Sequence, residues 1–209
     1  MTGANFLPFL LAALIVAAVP GPGIFYVAAR TLSGGKSAGY ASTFGTAFGG
    51  LVHVIGGALG VSAIILASAD LFTALKFAGA LYLVWLGIKT FREARDVLAQ
   101  PIVAAGTQHV FREGVLVEAL NPKTAAFFLA FIPQFVDPFA GSVALQFVTL
   151  GLISVALNTF ADVVAVMMAT SARAGLTRHP TLLQRLRQGS GLFIAGLGIS
   201  LALARRPGS

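Results

Sequence analysis

Four ionisable side chains stand inside long apolar stretches of this 209-residue chain: His53, Glu118, Lys123 and Asp162. A lysine at the centre of an apolar helix costs about 3 kcal/mol to place in a membrane. Lys123 lies about ten residues into its stretch, too deep for its stem to carry the charge to an interface. Such a charge binds a carboxylate or pairs with an internal acid. Glu118 precedes Asn121 by three residues and Lys123 by five, while Asp162 follows Asn158 and Ser154 at intervals of four, so that those three share one helix face. A buried acid of this kind carries a proton or neutralises a cation. The alternative is a structural ion pair with Lys123, and Glu118 and Asp162 divide these roles between them. His53 sits among Gly49, Gly50, Gly56, Gly57 and Gly60. There a hydrogen bond to a neighbouring backbone is a simpler use of the ring than a proton relay. Tyr26, His53 and Asn158 complete the candidate polar lining.

The same regions contain helix breakers. Val19 is followed by Pro20, Gly21, Pro22 and Gly23, and Leu120 by Asn121, Pro122 and Lys123, 100 residues later. Proline removes a backbone donor and clashes with the preceding turn, and glycine tolerates conformations that other residues resist. The first break lies about 12 Å from Arg30 at 1.5 Å per residue, and the second at a comparable depth. Interrupted helices in an apolar setting leave backbone groups that must face protein or a polar cavity. Their N-terminal ends attract carboxylates and their C-terminal ends cations. Pro20, Gly21, Pro22 and Gly23 on one side, with Asn121, Pro122 and Lys123 on the other, therefore suit an amphoteric small solute.

The elements that must position these residues follow from composition. The chain is 57% hydrophobic and only 10% charged, against about 25% charged for a soluble domain. Six continuous apolar runs approach the about 20 residues a bilayer core requires, at about 5 to 29, 42 to 67, 71 to 91, 113 to 135, 142 to 170 and 189 to 204. They predict an all-α membrane protein forming one integral domain over residues 1–209. Its repeats cover about 5–91 and 113–204, joined by a connector at about 92–112. Three spans on each side of that connector would place two similar halves in opposite orientations, with helices 1 and 4 broken near mid-membrane. Ten Lys and Arg residues fall in the first, third and fifth loops and three on the opposite side, which predicts both termini outside. No Lys or Arg precedes Arg30, so the first run reads as a span and not as a signal peptide. Small residues four apart, Gly45 with Gly49 and Gly56 with Gly60, would let helices approach closely. Tyr82 and Trp85 read as interface anchors.

Other functions are disfavoured. The net charge of +7 is not gathered into a basic, aromatic-lined nucleic-acid groove. The absence of cysteine removes disulfide, thiol-redox and thiolate-metal chemistry. His53, His109 and His179 lack ligand spacing, so neither metal nor cofactor is expected.

The two breaks, the short basic loop with Arg30, Gly34 and Gly35, the Gly-rich second span, and the run Leu120-Asn121-Pro122-Lys123-Thr124-Ala125-Ala126-Phe127-Phe128 continuing to Pro133-Gln134-Phe135-Val136 resemble the lysine exporter and homoserine/threonine efflux (LysE/RhtB) family. The similarity covers about residues 5 to 204. It implies export of amino acids or related metabolites across the bacterial cytoplasmic membrane in exchange for protons. It places Pro20 to Gly23 and Asn121 to Lys123 in the two halves of a central site; roles for Glu118, Asp162, Asn158, Tyr26 and His53 come from the residue chemistry alone.

The expectation is thus a secondary exporter of small zwitterions, with protons and the lipid bilayer as its other partners and a homodimer compatible with the glycine faces. The alternatives are a metal or inorganic-ion exporter of the same architecture, disfavoured by the lack of cysteines and His-rich loops, and an intramembrane enzyme. For the latter no serine stands out as a partner for His53.

Overall fold

The computed structural model describes residues 3–67, 69–92 and 106–172, together with scattered helical positions between 181 and 203. Every described element is helical, as continuous apolar runs require when backbone groups must bond within their own segment. The helices are α1 (Gly3–Ala18), α2 (Pro22–Ala67), α3 (Ala69–Arg92), α4 (Thr107–Ala119), α5 (Pro122–Ala126) and α6 (Val143–Ala172). Beyond α5 the chain widens into a π-turn at Phe127–Phe131 and tightens into a 3-10 turn at Ile132–Phe135.

The two breaker motifs have one local design. Helical bonding of α1 ends with the Val19 amide on Ile15, and α2 begins when the Phe25 amide bonds the Gly21 carbonyl. After α4 the Ala125 amide bonds the Asn121 carbonyl in the same way. Pro22 and Pro122 each occupy the first helical position, where a missing N–H costs nothing. Proline also disfavours helical backbone in the residue before it, and Asn121 is extended at φ −70°, ψ 111°. Its side chain accepts from the Lys123 amide at 3.1 Å, capping α5. Thr107–Ala119 and Lys123–Phe135 meet at a bend of 43°.

By length and apolarity, Pro22–Gly60 and Val143–Ser171 are each sufficient to cross a membrane, and the bent pair makes a third if it counts as one span. Phe6–Ala18 and Phe77–Lys89 are apolar but shorter. Three features differ from the sequence expectation. The basic loop expected between the first two spans is helical apart from Gly35, whose φ of 75° only glycine adopts without strain. Thr107 to Arg112, placed in the connector, belong to α4. Among the described residues, nothing lies within 4 Å of a Cβ added at Gly56 or Gly60. Most of the connector (93–105), residues 173–180 of the fifth loop and half of the sixth predicted span lie outside the described residues.

Gly45 and Gly49 do mediate a close approach. A Cβ on Gly45 would collide with the Phe111 carbonyl, one on Gly49 would lie 2.5 Å from the Val115 carbonyl, and one on Gly114 would lie 2.9 Å from that of Ser42. α2 and α4 therefore touch backbone to backbone. On the other side of α2, Phe9, Val16, Val54, Phe127, Phe128, Phe147 and Leu150 form a buried cluster joining α1, α2, α6 and the π-turn. Phe127 stacks on Phe131 at 5.2 Å. Lipid tails are as apolar as these side chains, so the cluster holds through dispersion and shape rather than exclusion from water. Leu7, Leu11, Leu59, Leu81 and Phe160 form part of a large exposed apolar surface.

Candidate functional site

The two breaks pack against each other. Gly21 faces Lys123, and a Cβ on Gly21 would lie 3.1 Å from the lysine stem. Gly23 faces Glu118, and a Cβ there would lie 2.8 Å from Oε2. Each glycine thus leaves the room that an ionisable side chain from the other break occupies.

Lys123 is 5% exposed, and its Nζ donates to the carbonyls of Val16 and Val19 at 3.0 Å each. These are orphan acceptors at the C-terminal end of α1, where the helix dipole is negative. Among the described residues no carboxylate approaches Lys123 within 4.0 Å. The buried ammonium is held by backbone. Glu118, also buried, accepts from Asn121 Nδ2 at 2.8 Å on Oε2 and from Thr124 Oγ1 at 2.6 Å on Oε1. Its carbonyl oxygen lies 2.9 Å from His53 Nε2, so the imidazole contacts backbone. Across the site, the Asp162 carboxyl in α6 meets the Thr46 hydroxyl of α2 at 2.7 Å and is 5% exposed.

These groups enclose a cavity lined by Gly21, Gly23, Ile24, Thr46, Ala47, Gly50, Glu118, Asn121, Lys123, Thr124, Phe128, Val155, Asn158, Thr159 and Asp162. Its volume of about 20 Å³ admits about one water. The structure therefore brings Gly21, Gly23, Glu118, Asn121, Lys123, Asn158 and Asp162 to one cavity. Pro20, Pro22, Tyr26 and His53 are not part of its lining, and Pro122 contributes its backbone to the start of α5. Asn158 donates to the Ser154 carbonyl at 2.9 Å, a back-bond to the preceding turn of its own helix.

Tyr26 belongs to a second cluster. Its hydroxyl lies 2.7 Å from the Val110 carbonyl and 3.0 Å from Glu113 Oε2, Arg30 pairs with Glu113, and the guanidinium lies 5.5 Å from the Tyr26 ring centre. This cluster ties the start of α2 to the start of α4. Sequence reasoning missed Thr46, Thr124 and Thr159. Hydroxyls that back-bond to their own helix are common in apolar segments, so no sequence signal set these three apart. Among the described residues no group of three or more His, Cys, Asp or Glu side chains could hold a metal ion.

A helical membrane translocator is the class that this apolar bundle and its polar central cavity define. Residues 14–205 match the LysE type translocator family, and the chain belongs to it. It is 31% identical over 209 residues to an uncharacterized membrane protein of Vibrio cholerae, covering 96% of this chain and 97% of the relative. It is 28% identical to a homoserine/homoserine lactone efflux protein of Salmonella typhimurium, covering 98% and 99%. A leucine efflux protein of Klebsiella pneumoniae is 30% identical over 155 residues, 71% of each chain. No solved structure matches the chain.

Proposed function

We propose that the protein exports amino acids or related small zwitterions across the bacterial inner membrane, by alternating access around the two breaks and in exchange for protons. The observation that carries this reading is the mutual packing of two helix interruptions around a cavity that contains one buried cation and two buried acids. A zwitterion entering it meets amide ends and Lys123 at its carboxylate, and carboxylates and carbonyl ends at its ammonium. Relatives named for efflux of homoserine and leucine support the solute class.

In this reading α1 with the first arm of α2, and α4 with α5, are the broken helices of two inverted three-helix repeats. The matching bonds at Gly21 and Asn121 support that correspondence. Six spans with both termini outside satisfy the charge distribution. A cavity that admits about one water is a closed state, which widens on either side to pass a solute. The protein works as a carrier and performs no covalent chemistry on what it moves.

The test is efflux from proteoliposomes loaded with radiolabelled homoserine, leucine or another amino acid. An imposed proton gradient accelerates efflux, and collapsing it removes the acceleration. Efflux that ignores the gradient removes proton exchange, and no efflux across the amino-acid panel refutes the solute class.

A further inference from the structure

A hydroxyl carries one hydrogen, and that of Thr46 faces two acceptors. Thr46 Oγ1 lies 2.8 Å from the Thr43 carbonyl oxygen and 2.7 Å from Asp162 Oδ2. Both contacts are hydrogen bonds at once only if the hydrogen between Thr46 and Asp162 is carried by Asp162. Glu118 presents the opposite case. Its Oε2 meets an amide N–H, which only donates, and its Oε1 meets the Thr124 hydroxyl, for which Glu118 is the one acceptor among the described residues. Glu118 is therefore fully satisfied as a carboxylate, whereas Asp162 is fully satisfied as an acid.

The charges of the cavity agree. Among the described residues, Lys123, Glu118 and Asp162 are its ionisable lining residues, so α4 and α5 contribute one acid and one base that balance. The α1–α2 break contributes Gly21 and Gly23, and α2 contributes Thr46, none of which titrates. Ionised Asp162 leaves one negative charge without a counter-charge in a buried site. A proton or a substrate ammonium neutralises it, and one carboxyl has room for one of them.

We propose that Asp162 carries the exchanged proton and that Thr46 is its positioning residue, accepting from the acid and donating to the carboxylate; this rests on the export reading above. On release, the Asp162 O–H bond breaks, the electron pair stays on the carboxylate, and the proton passes to water. The Thr46 O–H then turns from the Thr43 carbonyl to Oδ2, and the substrate ammonium takes the place of the proton. Re-protonation reverses the turn and discharges the ammonium.

Infrared difference spectroscopy of the reconstituted wild-type protein between acid and alkaline pH reads this without any substrate, through the C=O stretch of a protonated, hydrogen-bonded carboxylic acid. One such buried band is expected. It disappears in D162N and persists in E118Q. In T46V its frequency shifts because the hydroxyl partner is gone, and T46S restores it. A band that survives D162N, or one that T46V leaves in place, overturns the proposal, as does a wild type without the band. If E118Q does not fold, D162N with the Thr46 pair decides. The proteoliposome assay with homoserine and leucine is read separately, so a titrating Asp162 in a protein that moves no solute condemns the export reading and not the proton site.

Discussion

Replacing Lys123 by methionine separates two roles for the buried ammonium. Methionine fills nearly the same volume and removes only the charge and its donors. The structure assigns those donors to the carbonyls of Val16 and Val19. Each carbonyl left buried and unpaired costs about 1–3 kcal/mol, so the pair costs about 2–6 kcal/mol. Relief from burying an ammonium offsets part of that, which leaves a net loss of about 2 kcal/mol. For a chain of this size the expected fall in Tm is about 4–8 °C. The assay is a thermal melt of purified protein in detergent, with proteoliposome efflux measured on the same preparation. A lysine that only awaited a substrate carboxylate would lose export and keep its Tm. A variant that melts within about 1 °C of the wild type therefore refutes the cap on α1.

Four further substitutions test the packing. Gly23→Ala pushes a methyl toward Glu118 Oε2 and is expected to destabilise by about 1–3 kcal/mol and to abolish efflux, whereas Gly56→Ala, with no neighbour within 4 Å among the described residues, gains about 0.5–1 kcal/mol; equal melting shifts would contradict this. Thr43 Oγ1 is buried without a hydrogen-bond partner among the described residues, so Thr43→Val is neutral or raises stability by up to about 1 kcal/mol, and a fall in Tm would expose a missed bond. Glu113→Gln weakens the Arg30 pair and the Tyr26 bond; with a half-exposed carboxylate its cost is about 1 kcal/mol, and that cost should shrink when the melt is repeated in high salt.

What was legible in the sequence is what local chemistry decides. Proline marks the starts of α2 and α5 because its missing donor and the restriction on the preceding residue act within one turn. The all-helical character followed from unbroken apolar runs. Partnerships were illegible. Lys123 was expected to seek a carboxylate, but the nearest groups of opposite polarity are carbonyls of α1, which carry no sequence signature. Charged Arg30 and Lys36 suggested a loop, yet both are good helix formers, and one left-handed glycine at position 35 turns the chain. Glu113 looked like the edge of a span, and its pairing with Tyr26 and Arg30 depends on how α2 crosses α4. Thr46 left no mark at all, because threonine is equally at home facing lipid.

The glycine contact between α2 and α4 limits how the protein changes shape. Elements that slide past one another do so by adjusting a layer of side chains between them, and at Gly45, Gly49 and Gly114 no such layer exists. In the proposed alternating access, the arm of α2 beyond Gly35 and α4 would therefore travel as one solid piece, like two planks glued flat. The swing of that proposed cycle would fall at the edges of the piece, at the unwound residues 19–21 and 120–121 and at Gly35, so a chemical staple placed within the α2–α4 seam would leave it free while one across α1 and α5 would stop it.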